Sequence, residues 1–148
     1  MADDDSIQMT LKKTDDFEAI RKLALESGLE DGKFDNIVSA FGQFIDDELV
    51  GCAAMKLVDG THSVEWLAVK EEHRRKGLGQ SLVDAVAAEA KRSGARRLWA
   101  LARAPDFFLT IGFSISSPEE SPGPTFRGCL KCSQYNISCF PRIVVRSL

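Results

Sequence analysis

The sequence predicts a mixed α/β fold in which helices cover both faces of one sheet. Three stretches carry that expectation. Residues 43–69 read as a meander of apolar strands, residues 70–94 as a basic, glycine-bearing turn opening an amphipathic helix, and residues 97–116 as strand, short helix and strand. A meander followed by strand–helix–strand units places both pairing senses in one sheet, with a helical layer on each side.

With 148 residues, the chain is expected to form a single domain, 1–148, with a cysteine-containing C-terminal segment at 125–148. The hydrophobic and charged fractions, 44% and 28%, are those of a folded globule rather than a disordered chain. A net charge of −3 gives no global attraction for nucleic acid. The basic residues instead bunch at Arg74 to Lys76, at Arg96 and Arg97, and at Arg142 and Arg146, which suits a small polyanion. No apolar run reaches the length of a membrane span, and the start, Met1-Ala2-Asp3-Asp4-Asp5, is acidic. The expected location is therefore the cytoplasm, with reduced thiols and no membrane partner.

In chain order, residues 7–13 alternate Ile7, Met9 and Leu11 with polar neighbours, the period of a half-buried strand. Thr14 or Asp15 caps a helix, with Glu18 three after Asp15 as in a capping box. Phe17, Ile20 and Ala24, with Leu23 alongside, form its inner stripe, and Gly28 its stop. A short second helix is expected over residues 35–41. Residues 43–45 then make a short strand, 46–48 a turn, and 49–58 a near-continuous apolar strand. Asp59-Gly60 is a hairpin turn returning the chain as a strand over 61–69. Leu78, Leu82, Val86 and Ala90 recur every four residues, marking one face of a helix that ends near Ser93-Gly94. Strands at 97–101 and 113–116 flank a short helix at 104–111. Residues 117–124 are a Pro/Ser/Glu-rich loop, and 142–145 can form a last strand.

The most informative stretch is Glu65 to Gln80, where an apolar strand runs into a basic turn and then a helix. The first amides of a helix lack intrahelical partners and sit at the positive end of its dipole. Glycines let that backbone approach a phosphate, and adjacent cations add charge-assisted contacts. The P-loop spacing does not fit, because Gly77 and Gly79 are only two apart; the dinucleotide fingerprint lacks its third glycine and acidic partner. A basic helix start after a surface loop is the plain alternative.

What fits is R-x-x-G-x-G, carried by Arg74, Gly77 and Gly79, and it resembles the acetyl-CoA pyrophosphate loop of the GNAT superfamily of N-acetyltransferases. The resemblance runs from about residue 7 to Phe113 and includes the Gly112-Phe113 pair after the short helix. It implies a mostly antiparallel, twisted sheet whose central strands splay apart, and acetyl-CoA as co-substrate. It also implies that backbone groups of Leu67, Ala68 and Val69 bind the pantetheine arm as an added strand. The pyrophosphate would then lie on Arg74, Arg75, Lys76, Gly77, Leu78, Gly79 and Gln80.

Acetyl transfer to an amine needs a base for the amine's proton and donors for the developing oxyanion. Glu65 is the candidate base. It lies two residues before Leu67, which in a regular strand puts both on one face; the other reading is an edge carboxylate paired with an arginine. His62 follows a turn and reads as solvent-exposed, and His73 as facing solvent or phosphate. Many GNAT enzymes carry a tyrosine where Phe108 stands, beside the cofactor, and phenylalanine has no proton to give a leaving thiolate. Phe108 and Arg103 together resemble the N-acetylglutamate synthase branch, in which Arg103 would lie near substrate or cofactor; a surface arginine is the alternative. The acceptor implied is a small amine, an amino acid such as glutamate, and a homodimer stays open. A protein or peptide acceptor, and a non-catalytic acyl-CoA-binding module, are the rival readings.

Cys129, Cys132 and Cys139 form C-x-x-C-x6-C, one thiol short of a four-ligand zinc site, while Cys52 lies in an apolar strand. Reduced structural thiols are the main reading, with a metal site or redox pair open, and no metal ligands are assigned.

Overall fold

The computed structural model describes residues 9–27, 36–74, 76–102, 105–116 and 142–148. Its elements are β1 (Met9–Lys13), α1 (Phe17–Glu26), β2 (Ile37–Ile45), β3 (Glu48–Val58), β4 (Thr61–Val69), α2 (Leu78–Arg92), β5 (Arg97–Ala102), α3 (Asp106–Thr110), β6 (Ser114–Ser116) and β7 (Arg142–Ser147). Among the described residues the strands form one sheet in the order β1-β2-β3-β4-β5-β7-β6. Only β4 and β5 pair in parallel; every other neighbouring pair is antiparallel.

Two-residue turns build the meander. Asp46 and Asp47 between β2 and β3, and Asp59 and Gly60 between β3 and β4, all have positive φ. That backbone matches the twist of the strands it joins, and Asp and Gly tolerate it. β3 is therefore held on both edges, and its alternate side chains feed two cores. On one face Ala53 and Met55 join Leu82, Val83 and Val86 of α2. On the other, Cys52 and Ala54 join Ile20 and Leu23 of α1. Leu82, Val83 and Val86 are wholly buried, each contributing roughly 1.5–3 kcal/mol. All four residues of the four-spaced stripe of α2 are buried, as its periodicity predicts.

The structure corrects several local expectations. Residues 37–41 belong to β2 rather than to a helix, because β3 pairs with them from Ile37 onward and β1 joins on the other side at Phe41. β1 is an edge strand rather than half-buried: Met9 and Leu11 are each 40% exposed. The cap of α1 is Asp16, whose side chain accepts from the Ala19 amide at 3.1 Å, while Thr14 Oγ1 accepts from the Asp16 amide. The helix thus starts one residue later than an Asp15 cap would place it, and two later than a Thr14 cap would. His62 is buried within the sheet rather than exposed to solvent, since the two-residue turn before it commits it to a paired strand at once. Ile7 and Gly28 lie outside the described residues.

Candidate active site

The site forms where β4 and β5 part. A single bridge joins them, Ser63 to Trp99; beyond it β4 continues beside β3, and β5 beside β7. Among the described residues, the β5-facing edge of β4 from Glu65 to Val69 therefore meets no strand. Within that edge lies a bulge. Cys52 pairs with Ala68 and Ala54 with Glu65, so Trp66 and Leu67 stand opposite the single residue Ala53. Trp66 takes a φ of 54°, unusual for a bulky residue and costing of order 1–3 kcal/mol. The Cys52 thiol, 3.2 Å away, donates to the Trp66 carbonyl and satisfies it. Bulges re-aim a strand beside functional sites.

The parity change also moves a side chain. Glu65 and Leu67 do not share a face: Glu65 pairs with Ala54 of the α1-side core, whereas Leu67 packs against the α2-side core. Glu65 is half-buried, and burial pushes its carboxyl above the usual carboxylate range, with the Lys56 ammonium 3.7 Å away pulling partly the other way. A carboxylate raised in this manner is a better base near neutral pH. Its partner is thus a lysine across the hairpin, not an arginine.

At the open end of β4, the chain makes a one-turn helix at Glu71–His73 and reaches Gly77, the N-cap of α2. Arg74 Nε donates to the Val69 carbonyl at 2.9 Å, latching this loop onto the end of β4. Gly77 has φ 79° and ψ 8°, and no side chain caps the helix. The Gly77 carbonyl takes both the amide and the hydroxyl of Ser81. The amides of Leu78, Gly79 and Gln80 thus start the helix with no intrahelical acceptor, the electropositive end that anions seek. A Cβ at Gly77 would meet nothing within 4 Å, so conformation, not crowding, calls for glycine there. Gly79 is the reverse case: its Cβ would lie 3.0 Å from the Phe107 ring. Leu78 is buried, so only its backbone faces the cradle, while Lys76 and Gln80 are exposed.

α3 closes the other side. Phe107 lies against the first turn of α2, and Phe108 is buried between Phe107 and Phe113 with ring centroids 5.2 and 5.1 Å apart. Phe107 lines the cradle and was not singled out by its sequence; adjacency to Phe108 was its one signal. His73 is half-buried, and its Nδ1 has no partner among the described residues. Arg75, Arg103, Cys129, Cys132 and Cys139 lie outside the described residues.

The chain and its fold have counterparts among known proteins. The acetyltransferase (GNAT) family profile matches residues 11–113, more than half of the chain. The chain belongs to the GNAT family. Its GNAT relatives include an uncharacterized N-acetyltransferase of Chlorobaculum tepidum, 28% identical over 106 residues, or 68% of this chain and 65% of that relative. Among solved structures, N-acetylglutamate synthase from Neisseria gonorrhoeae, complexed with coenzyme A and N-acetyl-glutamate, superposes with a TM-score of 0.76 at 25% identity. The match covers 95% of this GNAT chain and 35% of the synthase chain. The PaiA N-acetyltransferase from Thermoplasma acidophilum, in complex with coenzyme A, shares the fold at a TM-score of 0.67 and 16% identity, with 95% of this chain and 99% of that one covered. The chain therefore spans about two thirds of the first relative and about a third of the synthase.

Proposed function

We propose that this chain transfers the acetyl group of acetyl-CoA to the amine of a small molecule, an amino acid such as glutamate, by direct attack in a ternary complex. The observation that carries the reading is the unpaired, bulged edge of β4 running to the uncapped start of α2. An extended amide-bearing arm can pair with such an edge while a pyrophosphate caps the helix. The exposed Lys76, the Arg74 guanidinium and the open space over Gly77 fit the charge and bulk of that group.

When bound, acetyl-CoA supplies an activated thioester carbonyl. Glu65 takes the proton that the attacking amine sheds, its raised proton affinity suiting it to the task near neutral pH. Main-chain N–H groups of the β4 edge donate to the oxygen that becomes negative as nitrogen bonds to the carbonyl carbon. Phe108 offers no proton to the departing sulfur, so the thiolate leaves as the anion and is protonated by water. The N. gonorrhoeae relative's complex with N-acetyl-glutamate supports an amino-acid acceptor.

The missing hydroxyl at Phe108 motivates the competing reading, an acyl-CoA-binding module without turnover. Thiol release from acetyl-CoA, followed across the twenty amino acids, simple amines and short peptides, decides. Release dependent on an amino acid is expected. Peptide-only release assigns a protein acceptor, and tight CoA binding with no release on any acceptor assigns the module.

A further inference from the structure

The sequence carries two basic clusters that the cradle at the start of α2 does not use, Arg96 with Arg97 and Arg142 with Arg146. Strands β5 and β7 bring one member of each together. In their antiparallel register Arg97 faces Ser147, and Leu98 faces Arg146. Strand alternation sets Arg97 on the same face as Trp99 and turns Arg146 toward α2, where its Nη1 donates to Asp84 Oδ1 at 2.8 Å. Both arginines line one cavity of about 470 Å³ at this end of the sheet, together with Trp99, Ser114 and Ser147. That volume lies within the range of small-molecule sites. Among the described residues, no acidic side chain lines it.

The charge balance favours an anion. Asp84 offsets Arg146 and fixes its guanidinium, whereas the exposed Arg97 makes no hydrogen bond or ion pair among the described residues. The cavity therefore keeps one unmatched positive charge, beside the exposed hydroxyls of Ser114 and Ser147 and a tryptophan that is only 7% exposed. It also stands apart from the opening between β4 and β5. From their bridge at Ser63 and Trp99 the two strands run parallel toward that opening, and Arg97 lies two residues the other way. We propose that this cavity is a second ligand site, which takes a small molecule by a carboxylate or phosphate group. The planar fork of Arg97 grips two oxygens of that group, the serine hydroxyls donate to it, and the rest of the molecule lies against Trp99. The inference goes beyond the acetyltransferase reading and does not depend on it, because none of these five residues serves the transfer site.

The test uses the indole N–H signals in nitrogen-15 correlated spectra of the full chain. There are two tryptophans, Trp66 and Trp99, and the Trp99 signal is the one that Trp99→Phe removes. Inorganic phosphate and succinate are titrated separately at constant ionic strength, so that general screening does not change during the titration. At least one of them should move the Trp99 signal saturably, with a Kd of about 1 mM or tighter. Saturation by phosphate alone or by succinate alone supports the site and names the group it takes. Arg97→Gln, at an exposed position where substitution leaves the fold intact, should weaken that binding at least about tenfold, the loss of charge-assisted hydrogen bonds. A Trp99 signal that saturates with neither anion would overturn the proposal. A midpoint within twofold of wild type in Arg97→Gln would overturn it as well.

Discussion

The Cys52 thiol donates to the Trp66 carbonyl across 3.2 Å, tying the wholly buried middle of β3 to the bulge of β4. Trp66 holds a positive φ that its bulk disfavours, so something must compensate, and the thiol's hydrogen bond to its carbonyl contributes to that. Burial pushes the thiol pKa up from 9.0 to about 12. Native protein at pH 7.5 should therefore resist iodoacetamide at Cys52, as read by peptide mass spectrometry, and react there only once unfolded. The folded state holds this proton more tightly than the unfolded chain. Its stabilising contribution is thus complete below pH 9 and falls away as pH rises toward 12. Cys52→Ala should destabilise by roughly 1–3 kcal/mol in denaturant melts, since it removes this hydrogen bond and leaves space in a wholly buried position.

Glu65 gives a pH signature. The base works deprotonated, so kcat/KM should rise with pH through a pKa above the ordinary carboxylate range. Glu65→Gln should lose that limb and reduce kcat by about a hundredfold or more. Lys56→Met should move the limb to higher pH, because the ammonium 3.7 Å away favours the charged carboxylate. Between the ordinary value and the raised one, the native state binds more protons than the unfolded chain, so stability falls as pH rises. Glu65→Gln should flatten that fall in melts across pH.

The two glycines of the cradle should respond differently to alanine. At Gly79 the added Cβ meets the far edge of the Phe107 ring at 3.0 Å, a contact the ring can relieve by a small shift. Helix propensity gains about 0.5–1 kcal/mol in the same step. Gly79→Ala should therefore change stability by less than about 1 kcal/mol. Gly79→Ala combined with Phe107→Leu should be at least as stable as Phe107→Leu alone.

Arg74 combines a latch with a charge. Its Nε donates to the Val69 carbonyl at 2.9 Å, which lysine cannot reproduce with the same planar geometry. Arg74→Lys should weaken CoA binding about fivefold despite the retained charge, and Arg74→Ala should weaken it more. Calorimetric titration at two salt concentrations separates the contributions, because the charge term is screened and the latch is not.

Much of the sheet was legible because its determinants are local. Asp59-Gly60 fixes a two-residue turn, and counting back along both strands pairs Lys56 with Ser63 and Ala54 with Glu65. The Lys56–Glu65 contact was thus within reach of the sequence. The bulge was not. Trp66 is an ordinary strand former, and nothing local to it signals the positive φ it takes opposite Ala53, so the faces of Glu65 and Leu67 could not be read from alternation. The first half of β2, residues 37–41, was missed for a similar reason, its conformation being set mainly by β3 rather than by its own residues. The cradle was legible because glycine spacing and helix periodicity both lie within one short stretch.

The most direct test is calorimetric titration of CoA into wild type and Gly77→Val. Valine must enter a backbone of φ 79°, which disfavours β-branched side chains, and it places bulk where the cradle is open. The far-ultraviolet spectrum should be retained while CoA affinity falls at least tenfold, a change of about 1.4 kcal/mol. Equal affinity in a folded variant would contradict the placement of the cofactor at the start of α2.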